Sequence, residues 1–381
     1  MSSLRRNNSK RTTPSADLKD GRNSGNAMKD KKRSYQIFQG VMFALTVGLL
    51  IYFCVWNNNL AVLIASFHGL NLAWLLAAMG CTVLGWMLDA MVIRELAGSA
   101  KPSGYRYRSA LRVTMVGQYF NSVTPYAVGG QPAQFVAFLR QGIPSGIAIS
   151  ALVQKFLVYQ TSITTFSLVV IIARSRFFLS SVQGFMALAV IGFLYQSASV
   201  LLLLLFTYSP GFTTKLISGV VWVLTKVHIV KKPEETREKV KSQLRFYLDN
   251  NRAMKSNRRL TAKIYGYTFL QLLATFLVPF LVYKAFRSPG APVFDMIAAQ
   301  CFVTMISGYT PLPGAAGAAE GSFLVIFRLF FNEKILTQAM LLWRFITYYA
   351  SIFVGAFFVL HGSRRGEERK EDLPASFPPG Q

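Results

Sequence analysis

Long apolar runs, rather than amphipathic stripes, organise this chain. A helix rises about 1.5 Å per residue, so about 20 apolar residues cross a hydrocarbon core of about 30 Å. By that measure about six stretches predict full helical spans, at 36–56, 71–93, 147–173, 182–208, 263–286 and 335–361. Two more, at 109–141 and 293–331, are apolar on both flanks but interrupted in the middle by Thr, Pro and Gly. Each of their arms is about 15 residues, or about 22 Å, which is too short to cross alone. The expectation is an all-α polytopic membrane protein whose full spans are joined by two broken-helix hairpins that re-enter the bilayer. Ordinary kinked spans are the competing reading.

The rest of the chain is polar. Residues 1–35 read as a disordered basic tail, without the apolar core of an export signal. Residues 209–262 read as an interfacial helix followed by a basic linker, and 362–381 as a second tail. The first membrane half is then 36–208 and the second 263–361.

Composition agrees with the pattern. Of 381 residues, 52% are hydrophobic, 14% aromatic and only 15% charged, with 31 Phe, more than one soluble core would be expected to bury. The formal charge of +25 would raise nucleic acid as a partner, but no basic motif interleaved with aromatics is present, and the cations sit beside the apolar runs. That placement points to topology and anionic lipid. The N-terminal tail carries ten Lys and Arg against three Asp, and Lys231, Lys232, Arg258 and Arg259 lie in the linker. Both are expected on the cytoplasmic side, as is the C-terminal tail with Arg364, Arg365, Arg369 and Lys370, in a bacterial cytoplasmic (inner) membrane. On that count the first hairpin enters from the cytoplasm and the second from outside, an inverted pair. Arg174 and Arg176 run against the rule, because they are expected in a short outer turn.

The chemistry-bearing residues argue against several classes. Cys54, Cys81 and Cys301 are isolated, and His68, His228 and His361 sit at segment ends, so neither a metal site nor a cofactor is expected. Phosphate-binding loops, nucleophile elbows and zinc-helix motifs are missing, so no catalytic residue is assigned.

The two breaks carry the positive signal. NSVTPYAVGGQPAQ at 121–134 and SGYTPLPGAAGAAE at 307–320 share Thr124-Pro125 and Thr310-Pro311, then a run of small residues, then Gln134 in one copy and Glu320 in the other. Backbone that leaves a helix inside hydrocarbon strands polar groups at several kcal/mol each, so such breaks line protein or a watery cavity. Pro ends the preceding helix, Gly permits close approach, Thr can answer freed carbonyls, and the next helix presents N–H groups suited to a phosphate. Broken helices in corresponding halves point to a transport site. The competing reading is kink and packing only.

Ionisable residues within the apolar stretches are costly and usually functional. Glu320 can pair with an ammonium headgroup or with a protein cation such as Arg344, and Tyr348 lies one turn beyond Arg344. Asp89, Lys155 and Asp295 are further candidates, while Arg140 can snorkel to headgroups from the end of the first hairpin.

At these residues the chain resembles the transmembrane domain family of lysylphosphatidylglycerol synthases. The resemblance covers about 34–362 and rests on TPYAVGGQP with QFVAFLRQGIP, SGYTPLPGAAGAAEGSF and LLWRFITYY. It implies a flippase that carries aminoacylated phosphatidylglycerol between leaflets and favours resistance to cationic antimicrobial peptides. Carried over by motif, Thr124, Pro125, Gly129, Gly130 and Gln131 belong to the first block, Pro311, Pro313, Gly314, Gly317 and Glu320 to the second, and Arg344 to the third. The expected partner is a phospholipid, with a homo-oligomer left open. About 20 residues follow the last predicted span, so the soluble domain that transfers lysine in the two-part synthase is not expected here. Two alternatives remain: a membrane lysyltransferase using intramembrane carboxylates and Lys155, or a small-solute or ion transporter built on the same hairpins.

Overall fold

The structure, a computed structural model, describes residues 69–98, 104–181, 185–209, 257–308 and 310–371, with single helical positions at 211, 215 and 219. The predicted span at 36–56, the basic tail, most of the 209–262 linker and residues 372–381 lie outside the described residues. What is described is helical, with no strand. In chain order the helices are α1 (Leu72–Ala97), α2 (Tyr107–Val123), α3 (Gly130–Arg140), α4 (Ser145–Ser181), α5 (Phe185–Tyr208), α6 (Arg258–Ala285), α7 (Val293–Ser307), α8 (Ala318–Phe327), α9 (Glu333–Arg344) and α10 (Ala350–Glu371). A π-helical turn, Phe345–Tyr349, joins α9 to α10, with Arg344 and Ala350 on either side of it in helical conformation.

Among the described residues, four helical stretches are long and apolar enough to cross a membrane: Leu72–Ala97, Ser145–Arg174, Arg258–Ala285 and Glu333–His361. They correspond to four of the predicted spans. The predicted span at 182–208 is a helix whose apolar part, Val190–Leu205, is shorter. Outward faces carry Ile172, Leu194, Leu201, Phe357 and Leu360, all exposed. Large apolar side chains on the outside, spread over several helices, suit lipid rather than water.

Local chemistry sets the helix starts. Asn71, Asn257 and Asn332 each cap a helix, their Oδ1 atoms accepting from Ala73 N (3.1 Å), Leu260 N (3.0 Å) and Lys334 N (3.1 Å), which satisfies N–H groups that have no partner inside the helix. Asn71 N also donates to Ala285 O at 2.8 Å, pinning the start of α1 to the end of α6, so the two helices run antiparallel along each other. The main core gathers Phe276 of α6, Met296, Phe302 and Met305 of α7, and Phe323 and Phe327 of α8, all fully buried.

Two boundaries differ from expectation. Arg174 and Arg176 lie inside α4, which continues to Ser181, not in a turn. Arg is a good helix former and no Gly or Pro interrupts 174–181, so nothing stops the helix after the apolar run. Likewise α10 continues past His361 to Glu371, through a stretch rich in Arg, Glu and Lys, which favour helix as well.

Candidate functional site

Both predicted breaks are breaks. The first hairpin is α2, an interruption at 124–129, and α3; its arms of 17 and 11 residues measure about 26 and about 17 Å. The second is α7, an interruption at 308–317, and α8, with arms of 15 and 10 residues. None of these arms reaches about 30 Å alone.

The backbone repeats more closely than the side chains do. Thr124 is extended (φ −114°, ψ 145°) and Pro125 opens a single 3₁₀ turn, Pro125–Ala127, in which Tyr126 and Ala127 are left-handed at φ 52° and 54°. In the second break Leu312 is extended (φ −102°, ψ 149°) and Pro313 opens the turn Pro313–Ala315, with Gly314 and Ala315 left-handed at φ 60° and 53°. Structurally, then, Thr124-Pro125 matches Leu312-Pro313, two residues later than the alignment on Thr310-Pro311 suggests. The shift also separates Gln134 from Glu320, which do not occupy equivalent places. Gln134 is buried on α3, flat against Gly117 of α2, where an added Cβ would lie 2.2 Å from its Nε2.

The two breaks are held by different means. The last carbonyls of α2 have no partner within the helix. Thr124 Oγ1 donates to Phe120 O at 2.6 Å and accepts from Gly129 N at 2.9 Å, so one hydroxyl closes the first break on itself. Gly130 begins α3 so tightly against Asn121 that an added Cβ would lie 1.9 Å from Asn121 Oδ1. At the foot of the hairpin, Tyr105 hydrogen-bonds Gln141 Oε1, and Gln141 Nε2 donates to Ser109 O at 3.3 Å. Burial pushes the Tyr105 hydroxyl above its ordinary pKa. Thr124→Val is expected to lower stability by about 1–3 kcal/mol, because it leaves Phe120 O and Gly129 N unanswered while preserving shape. Unfolding in detergent micelles checks this against Thr124→Ser, which keeps both bonds.

The second break has no side chain like Thr124 at Leu312, and an ion pair does the equivalent work. Glu320, in the first turn of α8, reaches back so that its Oε2 accepts from Gly317 N at 2.7 Å, the N3-to-N-cap half of a capping box. Its Oε1 accepts from Arg344 Nε at 2.7 Å, and Arg344 Nη2 donates to Gly314 O at 3.0 Å. Arg344 is buried, its side chain 8% exposed against 14% for Glu320, and its guanidinium lies 5.3 Å from the Trp343 ring and 5.1 Å from the Tyr348 ring. The site leaves one irregular turn, Gly314 with Gly317, bound to a charge pair from two helices.

Tyr348 then joins the halves. Its hydroxyl donates to Ser122 O, a freed carbonyl at the end of α2, at 2.9 Å, and its ring rests on Gly314. The two 3₁₀ turns themselves pack against each other. Tyr348 sits in the π-helical turn just after Arg344, and such turns are frequent at functional positions. Tyr348→Phe is expected to lower stability by about 1 kcal/mol, the worth of one hydrogen bond, with Ser122 O left without this partner; thermal unfolding of the purified protein measures it.

The tips of the breaks are open. Tyr126, Val128 and Leu312 are more than half exposed, and Pro125, Gln131, Pro311 and Gly317 are exposed too, while Thr310 is half-buried, its N–H donating to Ser307 O. Arg140 ends α3 exposed. Asp89 and Lys155, singled out separately, meet: Lys155 Nζ donates to Asp89 Oδ2 at 2.7 Å between α1 and α4, with Asp89 buried. Asp295 pairs at 2.8 Å with Arg174, off the axis of a hydrogen bond, so the contact is one of charge. Ser122 escaped sequence reasoning. Its place in the last turn of a helix ended by Pro, where carbonyls lack partners, was the available signal.

These features define a multi-pass helical membrane protein in which two broken helices from opposite halves of the sequence are clasped together. The profile described as the lysylphosphatidylglycerol synthase TM region matches residues 38–355, and the chain belongs to that family. It is also 24% identical over 283 residues to a UPF0104 membrane protein of Archaeoglobus fulgidus, an alignment covering 71% of this chain and 81% of that one.

Proposed function

We propose that the protein moves a phospholipid between the leaflets of the cytoplasmic membrane, with the headgroup received at the paired breaks. The observation that carries the reading is the meeting of the two breaks, with open tips and a buried Arg344–Glu320 pair behind them. Irregular backbone at membrane depth is tolerated where it lines protein or a cavity, and paired broken helices are the usual sites of transported solutes. Membership of a lipid-synthase transmembrane family supports a lipid as that solute. Aminoacylated phosphatidylglycerol is the substrate we favour, with lowered sensitivity to cationic antimicrobial peptides as the consequence.

In this reading the hairpins are re-entrant, one from each side, with both chain termini in the cytoplasm. Glu320 acts as a resident stand-in for the headgroup phosphate. Its carboxylate occupies two donors, Gly317 N and Arg344 Nε, that a phosphate oxygen can take instead, because a helix N-terminus and a guanidinium both favour oxyanions. Arrival of the phosphate releases Glu320 to meet a cationic aminoacyl group. Thr124, Pro125, Gly129, Gly130, Gln131 and Gln134 shape the first break, and Thr310, Pro311, Pro313, Gly314 and Tyr348 the second. Asp89, Lys155 and Arg140 lie off this cluster and serve the passage only indirectly.

Reconstituted vesicles with fluorescent lysyl-phosphatidylglycerol in one leaflet test the proposal. Wild-type protein should speed the loss of leaflet asymmetry, and Glu320→Gln should slow it about tenfold, the worth of a lost charge-assisted bond. A folded wild-type protein that leaves the asymmetry at the protein-free rate refutes it.

A further inference from the structure

Apart from the clasped breaks, α4, α6 and α7 enclose a groove of about 740 Å³ that shares no residue with the site above. Phe166 and Val169 of α4, Gly266 and Phe269 of α6, and Phe294 of α7 form its walls, with Arg174 at one end. At the other end lies Tyr265, whose hydroxyl meets Thr161 Oγ1 at 3.0 Å. On α4 the lining extends from Ser162 to Arg174, which is about 18 Å of helix. That is close to the depth of one leaflet, about half of the 30 Å core. Val169, Phe269 and Phe294 are at least half exposed, so the groove opens sideways. Two of its walls, α4 and α6, are long and apolar enough to span a bilayer, so it opens onto lipid.

We infer that this groove holds one acyl chain of an anionic phospholipid whose phosphate is bound by Arg174. Apolar lining alone gives no preference, because lipid tails are as apolar as the walls. The cation supplies it. Arg174 is 43% exposed in its side chain, and its ion pair with Asp295 is made through Nε. That contact does not use the edge formed by the two Nη groups, the edge that receives phosphate bidentately. Asp295 in turn steadies the guanidinium at the mouth of the groove. Glycine at 266 keeps the groove clear: a Cβ added there meets nothing within 4 Å, so a larger side chain would enter open space without displacing a neighbour. The site is independent of the transport reading, since a lipid can reside here whether or not another crosses at the breaks.

The test uses the full-length protein in nanodiscs containing phosphatidylglycerol with a photoactivatable group in one acyl chain, with crosslinked residues mapped by mass spectrometry. Val169 and Phe269 should be labelled well above Ile172, an exposed residue outside the lining. Gly266→Trp should cut that labelling about tenfold, and unlabelled phosphatidylglycerol should compete about fivefold better than phosphatidylcholine, as one basic side chain near a lipid surface provides. Arg174→Gln should abolish the difference between competitors. Labelling of Val169 and Phe269 no stronger than of Ile172, or unchanged by Gly266→Trp, would overturn the inference and leave only the ordinary lipid shell. If Arg174→Gln fails to fold, the Gly266→Trp comparison decides alone. Glu320→Gln should leave the labelling intact, so a failure here and a failure of transport are told apart.

Discussion

Arg344→Ala should be the most damaging single substitution at the clasp, costing about 3–5 kcal/mol, the usual penalty for removing one partner of a buried ion pair. The loss has three parts in the structure. Glu320 is left at 14% side-chain exposure with no cation beside it, Gly314 O loses its donor, and the rings of Trp343 and Tyr348 lose the guanidinium that lies over them. The double variant with Glu320→Ala should recover part of that stability, because no buried carboxylate is left over. Lipid movement should stay lost in both. Denaturant unfolding in micelles together with the vesicle assay separates the two effects. If the double variant is no more stable than Arg344→Ala, the orphaned carboxylate is not the main cost.

Gly314→Val should follow closely, at about 2–5 kcal/mol. A branched side chain at φ 60° costs about 1–2 kcal/mol for the left-handed conformation, and overpacking adds about 1–3 kcal/mol. The overpacking is specific: an added Cβ would lie 2.2 Å from Tyr348 Cε2 and 2.4 Å from its Cζ. Because Tyr348 also holds Ser122 O, pushing the ring aside should loosen the first break as well as the second. Truncating the ring in a Gly314→Val, Tyr348→Ala pair should remove the steric part of the cost and leave the conformational part. Unfolding midpoints of the single and paired variants provide the comparison.

Much of this was legible in the residues, for stateable reasons. A helix cannot pass Thr-Pro followed by small residues without a change in its backbone, so both breaks were visible, and the hairpin at 109–141 differs from the observed α2–α3 unit by two residues at its start and one at its end. Local sequence could not supply the register between the copies. Two Thr-Pro pairs align by eye, but the left-handed turn follows Pro313 and not Pro311, and only backbone angles reveal that. Partners far apart in sequence were equally hidden. Asp89 and Lys155 stood out as intramembrane charges, yet their pairing joins positions 66 residues apart, and Tyr348 reaches Ser122 across 226. Glu320 left two partners open; the structure supplies Arg344, while an encounter with a lipid cation belongs to the proposal. Arg174 looked like an exception to a charge rule because its partner, Asp295, comes from another part of the chain.

Where a headgroup goes tests the central claim most directly. Phosphatidylglycerol carrying a photoactivatable group on its headgroup, incorporated with the full-length protein into nanodiscs, reports the residues it reaches. The account predicts labelling at Tyr126, Val128 and Leu312, the open tips of the paired breaks, reduced when Arg344 is replaced in a variant that remains folded. Labelling confined to the outer ends of the helices, with none at these three residues, would contradict it.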